Sequence, residues 1–143
     1  VFEAAGDVDN AETQELACVR YNQVVQRKSN DKIFHHEAGF WMWDPEQELI
    51  MQTFSIPRGV ALVAGGRHRL ETGNVVLEVS AALDDADWPI AQSPFMRDNA
   101  KTLSFRHRIV ITPQRLTYDE TTVVDIYGRR FDHTDENTLT RVE

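Results

Sequence analysis

The sequence holds a single cysteine, seven glycines and five prolines among 143 residues. One cysteine, Cys18, can close no internal disulfide and build no thiolate metal cage, so it fits a reducing, cytoplasmic setting. No apolar run approaches the ~18 residues of a membrane-spanning helix. Basic residues are also scarce: 15 Lys and Arg stand against 23 Asp and Glu, a net charge of −8. Such a surface repels nucleic acid and anionic membranes, which argues against both as main partners. An initiator Met is missing, and the start at Val1-Phe2-Glu3 reads as a point partway through a larger protein. What is present, 41% hydrophobic and 27% charged residues, describes one ordinary folded domain over residues 1–143.

The hydrophobic pattern has a period of two. From Glu15 to Arg27, Ala17, Val19, Tyr21, Gln23 and Val25 share one face, as in a half-buried strand. Lys32 to Asp44 is a second long strand, dense in aromatics (Phe34, Phe40, Trp41, Trp43). Asp44-Pro45-Glu46-Gln47-Glu48 turns the chain, so Leu49 to Ile56 returns antiparallel. Val60 to Ala64 reads as a short strand closed by Gly65-Gly66. Another runs from about Arg69 to Ala81, with a turn signal at Thr72-Gly73-Asn74. Lys101 to Thr112 and Arg115 to Tyr127 are rich in β-branched residues, which suit a pleated sheet. Between them and the earlier strands, Leu83 to Ala100 reads as an acidic excursion with a helical turn at Ile90 to Met96. Thr138 to Val142 reads as a last short strand. Roughly seven substantial strands joined by short turns indicate an all-β, antiparallel up-and-down barrel, or else a sandwich, and the long strands favour the barrel.

Familiar catalytic signatures are missing: no Gly-x-Ser-x-Gly, no phosphate loop and no Cys-x-x-Cys. Attention falls on the histidines. On a strand, either His35 shares a face with Glu37, or His36 faces inward with Phe34 and Ala38, and a bulge near Gly39 would change the parity. His68 and His107 each sit between two arginines, and His107 shares its face with Phe105 and Ile109, so it can point inward. His133 lies in Phe131-Asp132-His133-Thr134-Asp135-Glu136-Asn137 and reads as a loop histidine beside several carboxylates.

Phe34-His35-His36-Glu37-Ala38-Gly39-Phe40-Trp41 resembles the His-x-Glu-x-Gly-aromatic strand of nitrobindins, the haem-binding β-barrels once grouped with fatty-acid-binding-like proteins. Ser55 to Gly66 resembles the strand–turn–strand that follows it there, and Arg115-Leu116-Thr117-Tyr118 through Leu139 resembles that family's closing strands. The resemblance implies a ten-stranded barrel holding a ferric haem b, with His133 as axial iron ligand and His35 on the other haem face. It further implies nitric oxide binding, or isomerisation of peroxynitrite to nitrate, so that any enzyme activity would be that of a peroxynitrite isomerase. The sequence departs from the family twice. His133-Thr134-Asp135-Glu136-Asn137-Thr138-Leu139 stands where the family has His-Leu-x-Ala-x-Leu, and no Gly-x-Trp-x-Gly-x-Gly strand opens the chain, as though the first strands were absent. Two other readings use the same barrel: a fatty-acid-binding-like carrier of a small apolar ligand without haem, and a non-haem metal site of His35, Glu37 and His133.

Overall fold

The computed structural model describes residues 1–141. Its strands are β1 (Phe2–Val8), β2 (Leu16–Gln26), β3 (Ile33–Asp44), β4 (Leu49–Ile56), β5 (Val60–Glu71), β6 (Asn74–Ala82), β7 (Ile90–Gln92), β8 (Ala100–Ile111), β9 (Arg115–Ile126) and β10 (Arg129–Thr140). One short helix, α1 (Pro94–Asn99), follows β7. The strands form one antiparallel sheet in the order β1-β2-β3-β4-β5-β6-β8-β9-β10, with β7 added on β5. Neighbours in sequence are neighbours in space, as expected of an up-and-down barrel. The sheet curls but does not close: among the described residues β1 and β10 are its two edges.

Alternation sorts the side chains. Tyr21, Trp41, Ile50, Leu62, Val79 and Phe105 lie in one buried cluster on the concave side. The convex side of β5, β6 and β8 carries ion pairs instead, including Arg69 and Arg106 to Glu78. The turn after β3 is set by Asp44, whose Oδ1 accepts from the backbone N–H of Glu46 at 3.1 Å and Gln47 at 3.0 Å. A side-chain acceptor that satisfies two backbone donors is what favours Asp at a turn. Ser93 caps α1 by accepting from the Met96 N–H at 3.3 Å, and Pro94 stands in the first turn, where its missing N–H costs nothing.

Three sequence expectations need correction. Gly65-Gly66 does not end a strand; β5 runs through it to Glu71. A Cβ on Gly65 would lie 2.3 Å from the Trp88 ring, and one on Gly66 would lie 1.8 Å from the Glu78 carbonyl oxygen. These glycines mark close approach, not punctuation. The expected helical turn at Ile90 to Met96 is instead strand β7 followed by α1, because Ser93-Pro94 starts a helix later than the acidic composition suggested. Finally, His133 is on a strand. The last strand is β10, which begins at Arg129 after the Tyr127-Gly128 turn, both residues at positive φ, and pairs along its whole length with β9. Its expected end at Val142 lies outside the described residues. The turn at Thr72-Gly73 is present, and it separates β5 from β6.

Candidate functional site on the concave face

Directly paired residues in an antiparallel sheet point to the same side, so register assigns each candidate to a face. Glu37 pairs with Gln23 and His35 with Val25, and the ladder irregularity falls between Val25 and Gln26, not at Gly39. His35 therefore shares the concave face with Glu37, its Nε2 lying 3.4 Å from Glu37 Oε2. His36 points the other way, 3.0 Å from Asn22 Oδ1. Gly39 explains its place in the motif: a Cβ there would stand 1.9 Å from the Thr53 carbonyl oxygen of β4.

On the far side of the sheet, Phe105 is 2% exposed and pairs with Thr122, which pairs with His133. His133 is thus on the concave face too, although its strand is exposed throughout because β10 is a sheet edge. The same rule turns Phe131, Asp135, Asn137 and Leu139 inward with it. Phe131 and Leu139 are 45% and 40% exposed, apolar surface on a concave wall that a ligand could cover. A cleft of about 260 Å³ separates the two edges, lined by Phe2, Tyr21 and Val25 on one bank and Tyr118, Asn137 and Leu139 on the other.

Polar groups converge between these walls. The hydrogen bond to Glu37 holds the His35 imidazole above its ordinary pKa despite its partial burial, with Glu120 and Asp135 adding attraction. Burial, then repulsion from Glu37, pushes the Glu120 carboxyl up to about 8, so it is largely neutral at pH 7. Its Oε2 lies 3.7 Å from His107 Nδ1. Burial pulls His107 down to about 4 and leaves its Nε2 without a partner. Burial and the Asp135 carboxylate raise the Tyr118 hydroxyl to about 12, and that hydroxyl donates to Asp135 Oδ2 at 3.0 Å. His68 is set apart: it packs edge-on against Trp43, ring centroids 4.5 Å apart.

The structure thus brings His35 and Glu37 together and places His133 on the same concave face. Among the described residues no group of three His, Cys, Asp or Glu is arranged to hold a bare metal ion, so the triad of His35, Glu37 and His133 is not assembled. Sequence reasoning missed Gln52, Glu120 and Asp135. A usable signal existed, since Gln52 holds the inward parity between Ile50 and Phe54, and Glu120 holds it between Tyr118 and Thr122. A haem fits this face in donor type and in wall: it offers an accessible imidazole, exposed apolar side chains beside it, and a second imidazole elsewhere on the concavity.

An open antiparallel β-barrel with histidines on its concave wall is the class of protein these features define. Residues 7–141 match the family model described as THAP4-like, heme-binding beta-barrel domain, and the chain belongs to that family. This agrees with the resemblance to nitrobindins carried by residues 34–41. The crystal structure of Rv2717c from M. tuberculosis is similar with a TM-score of 0.68 and 19% sequence identity, covering 91% of this chain and 80% of that one. At that identity the likeness speaks to fold alone. Comparison with curated proteins finds no match. Among the described residues no helix is long and apolar enough to cross a membrane.

Proposed function

We propose that the concave face binds haem b through His133, with His35 on the opposite side of the ring, and that the small ligand is nitric oxide or peroxynitrite. The observation that carries the reading is the register of β8, β9 and β10, which turns His133 inward beside exposed Phe131, in a chain of the haem-binding family. When bound, a ferric haem with one protein ligand supplies an open coordination position for a diatomic or small anion.

The chain's own residues have separable tasks. His133 offers a ring nitrogen as the iron ligand. Phe131 and Leu139 cover apolar ring surface and exclude water. His35, whose protonated form Glu37 favours, presents a donor suited to an anionic ligand. Glu120, neutral at pH 7, spares the site another negative charge.

The test is optical. Haem added to the purified chain is expected to give a Soret band with saturable affinity, and His133→Ala is expected to weaken binding by at least tenfold. A Soret band that His133→Ala leaves untouched would remove the axial assignment. No Soret band at all would remove the haem.

A further inference from the structure

Beneath the concave surface runs a chain of buried polar side chains that no ligand contact requires. Glu37 is 2% exposed, Tyr21 4%, Gln52 0% and His107 6%, and they come from β3, β2, β4 and β8. The Tyr21 hydroxyl donates to Glu37 Oε1, leaving Oε2 for His35. A phenol has one proton, so Tyr21 can then only accept from its other neighbour. Gln52 Nε2 donates to it at 2.7 Å. With the amide NH₂ committed, the Gln52 carbonyl faces His107 and accepts from Nδ1–H at 3.0 Å. Every direction follows from one condition, the Tyr21 hydroxyl donating to Glu37. Were Tyr21 to accept there instead, each link would reverse and His107 would have to accept at Nδ1.

Four polar residues at this depth are costly unless each is paired, and a paired network specifies one arrangement of the strands it joins. Packing alone does not explain why the chain terminates on the carboxylate beside His35. We propose that Tyr21 and Gln52 are positioning residues, anchored on His107, which fix Glu37 as an acceptor and thereby hold His35 as an oriented donor over the concave site. The functional meaning of that donor rests on the concave face being the ligand site; the chain itself does not depend on haem. The groups that act on His35 are Glu37, Glu120 and Asp135, and Glu120 also lies against His107.

The experiment is ¹⁵N-detected NMR of the histidine side chains in the haem-free full chain between pH 4 and 9. The wild type is expected to show a His35 midpoint above the ordinary imidazole value and His107 as the neutral Nδ1–H tautomer. Tyr21→Phe removes the hydroxyl and with it the donor that holds Glu37 Oε1, so the carboxyl is no longer oriented towards His35, whose midpoint is expected to fall by about one unit or more. Gln52→Met keeps the Tyr21–Glu37 bond but removes the acceptor for His107. It is expected to release the fixed His107 tautomer and to lower the His35 midpoint less. Either variant suffices if the other fails to fold. Variants with wild-type near-UV circular dichroism but unchanged His35 midpoint and unchanged His107 tautomer would overturn the proposal. The NMR signatures without a Soret band would uphold the chain and reject haem; a Soret band with both variants silent would do the reverse.

Discussion

The two walls of the curled sheet share one alternation and have opposite fates. From β3 to β8 the inward Trp41, Leu62, Val79 and Phe105 are all under 9% exposed. On β10 the inward residues alternate just as strictly, yet each is exposed. Composition does not account for all of the difference, since Phe131 and Leu139 are as apolar as the core. The rest lies in what surrounds them: the strands from β3 to β8 each have neighbours on both sides, with β7 added on β5, whereas β10 is an edge beside a cleft. Alternation says which side a residue takes, and only the neighbouring layer decides whether that side is dry.

The comparison is broken most directly by truncating one aromatic from each wall. Phe105→Ala is expected to cost about 3–5 kcal/mol in urea unfolding, because a filled site is emptied. Phe131→Ala, half exposed, is expected to cost less than about 1 kcal/mol in the ligand-free protein. Equal losses would mean that β10 is as covered as β8. Repeated with haem present, a much larger cost at Phe131 would show that the ligand covers the open wall.

Protonation sharpens the contrast. Glu120 has a folded pKa raised from 4.5 to about 8, so the folded chain binds the extra proton and stability falls as pH rises between those values. His107, lowered from 6.5 to about 4, acts oppositely: stability rises with pH between about 4 and 6.5. Below pH 6.5 the two offset each other. From pH 6.5 to 8 Glu120 acts without that opposition, and the raised His35 adds a loss of the same sign. Stability should therefore drop by roughly 1–2 kcal/mol over that window. Glu120→Gln is expected to flatten most of the drop, as read from urea midpoints at fixed pH. An unaltered slope would mean that Glu120 is already ionised at neutral pH.

The smallest effect belongs to the convex surface. Glu78 accepts from Arg69 and Arg106, but all three are partly exposed. Glu78→Gln should cost under about 1 kcal/mol and the cost should shrink in high salt. A larger, salt-insensitive loss would place this row of charges among the residues that hold the sheet together.

Much of the fold was legible because a sheet writes its period directly into the chain. The strands around Tyr21, Trp41, Phe54 and Phe105 follow from alternation, and the Asp44 turn follows from local hydrogen bonding. What misled was punctuation. Gly65-Gly66 looks like an end until Trp88 and Glu78 are seen pressed against it, contacts that come from distant residues. β1 went unread as a separate strand because its residues are exposed and carry little pattern.

The site divides in the same way. His35 and Glu37 were readable as a pair two residues apart on one strand, and His133 as a residue matching a family position. Gln52 and Glu120 were readable by parity as inward polar positions, but their partners were not, since those come from strands remote in sequence.

The sequence by itself determined the all-β class and the antiparallel order, because those depend on a two-residue repeat and on short turns. Only the tertiary structure decided which faces are dry, that Tyr21, Gln52 and His107 join into one directed chain, and that His133 stands on an open edge. Those properties depend on which strands meet, and dielectric, burial and hydrogen-bond partnership are set by groups remote in sequence.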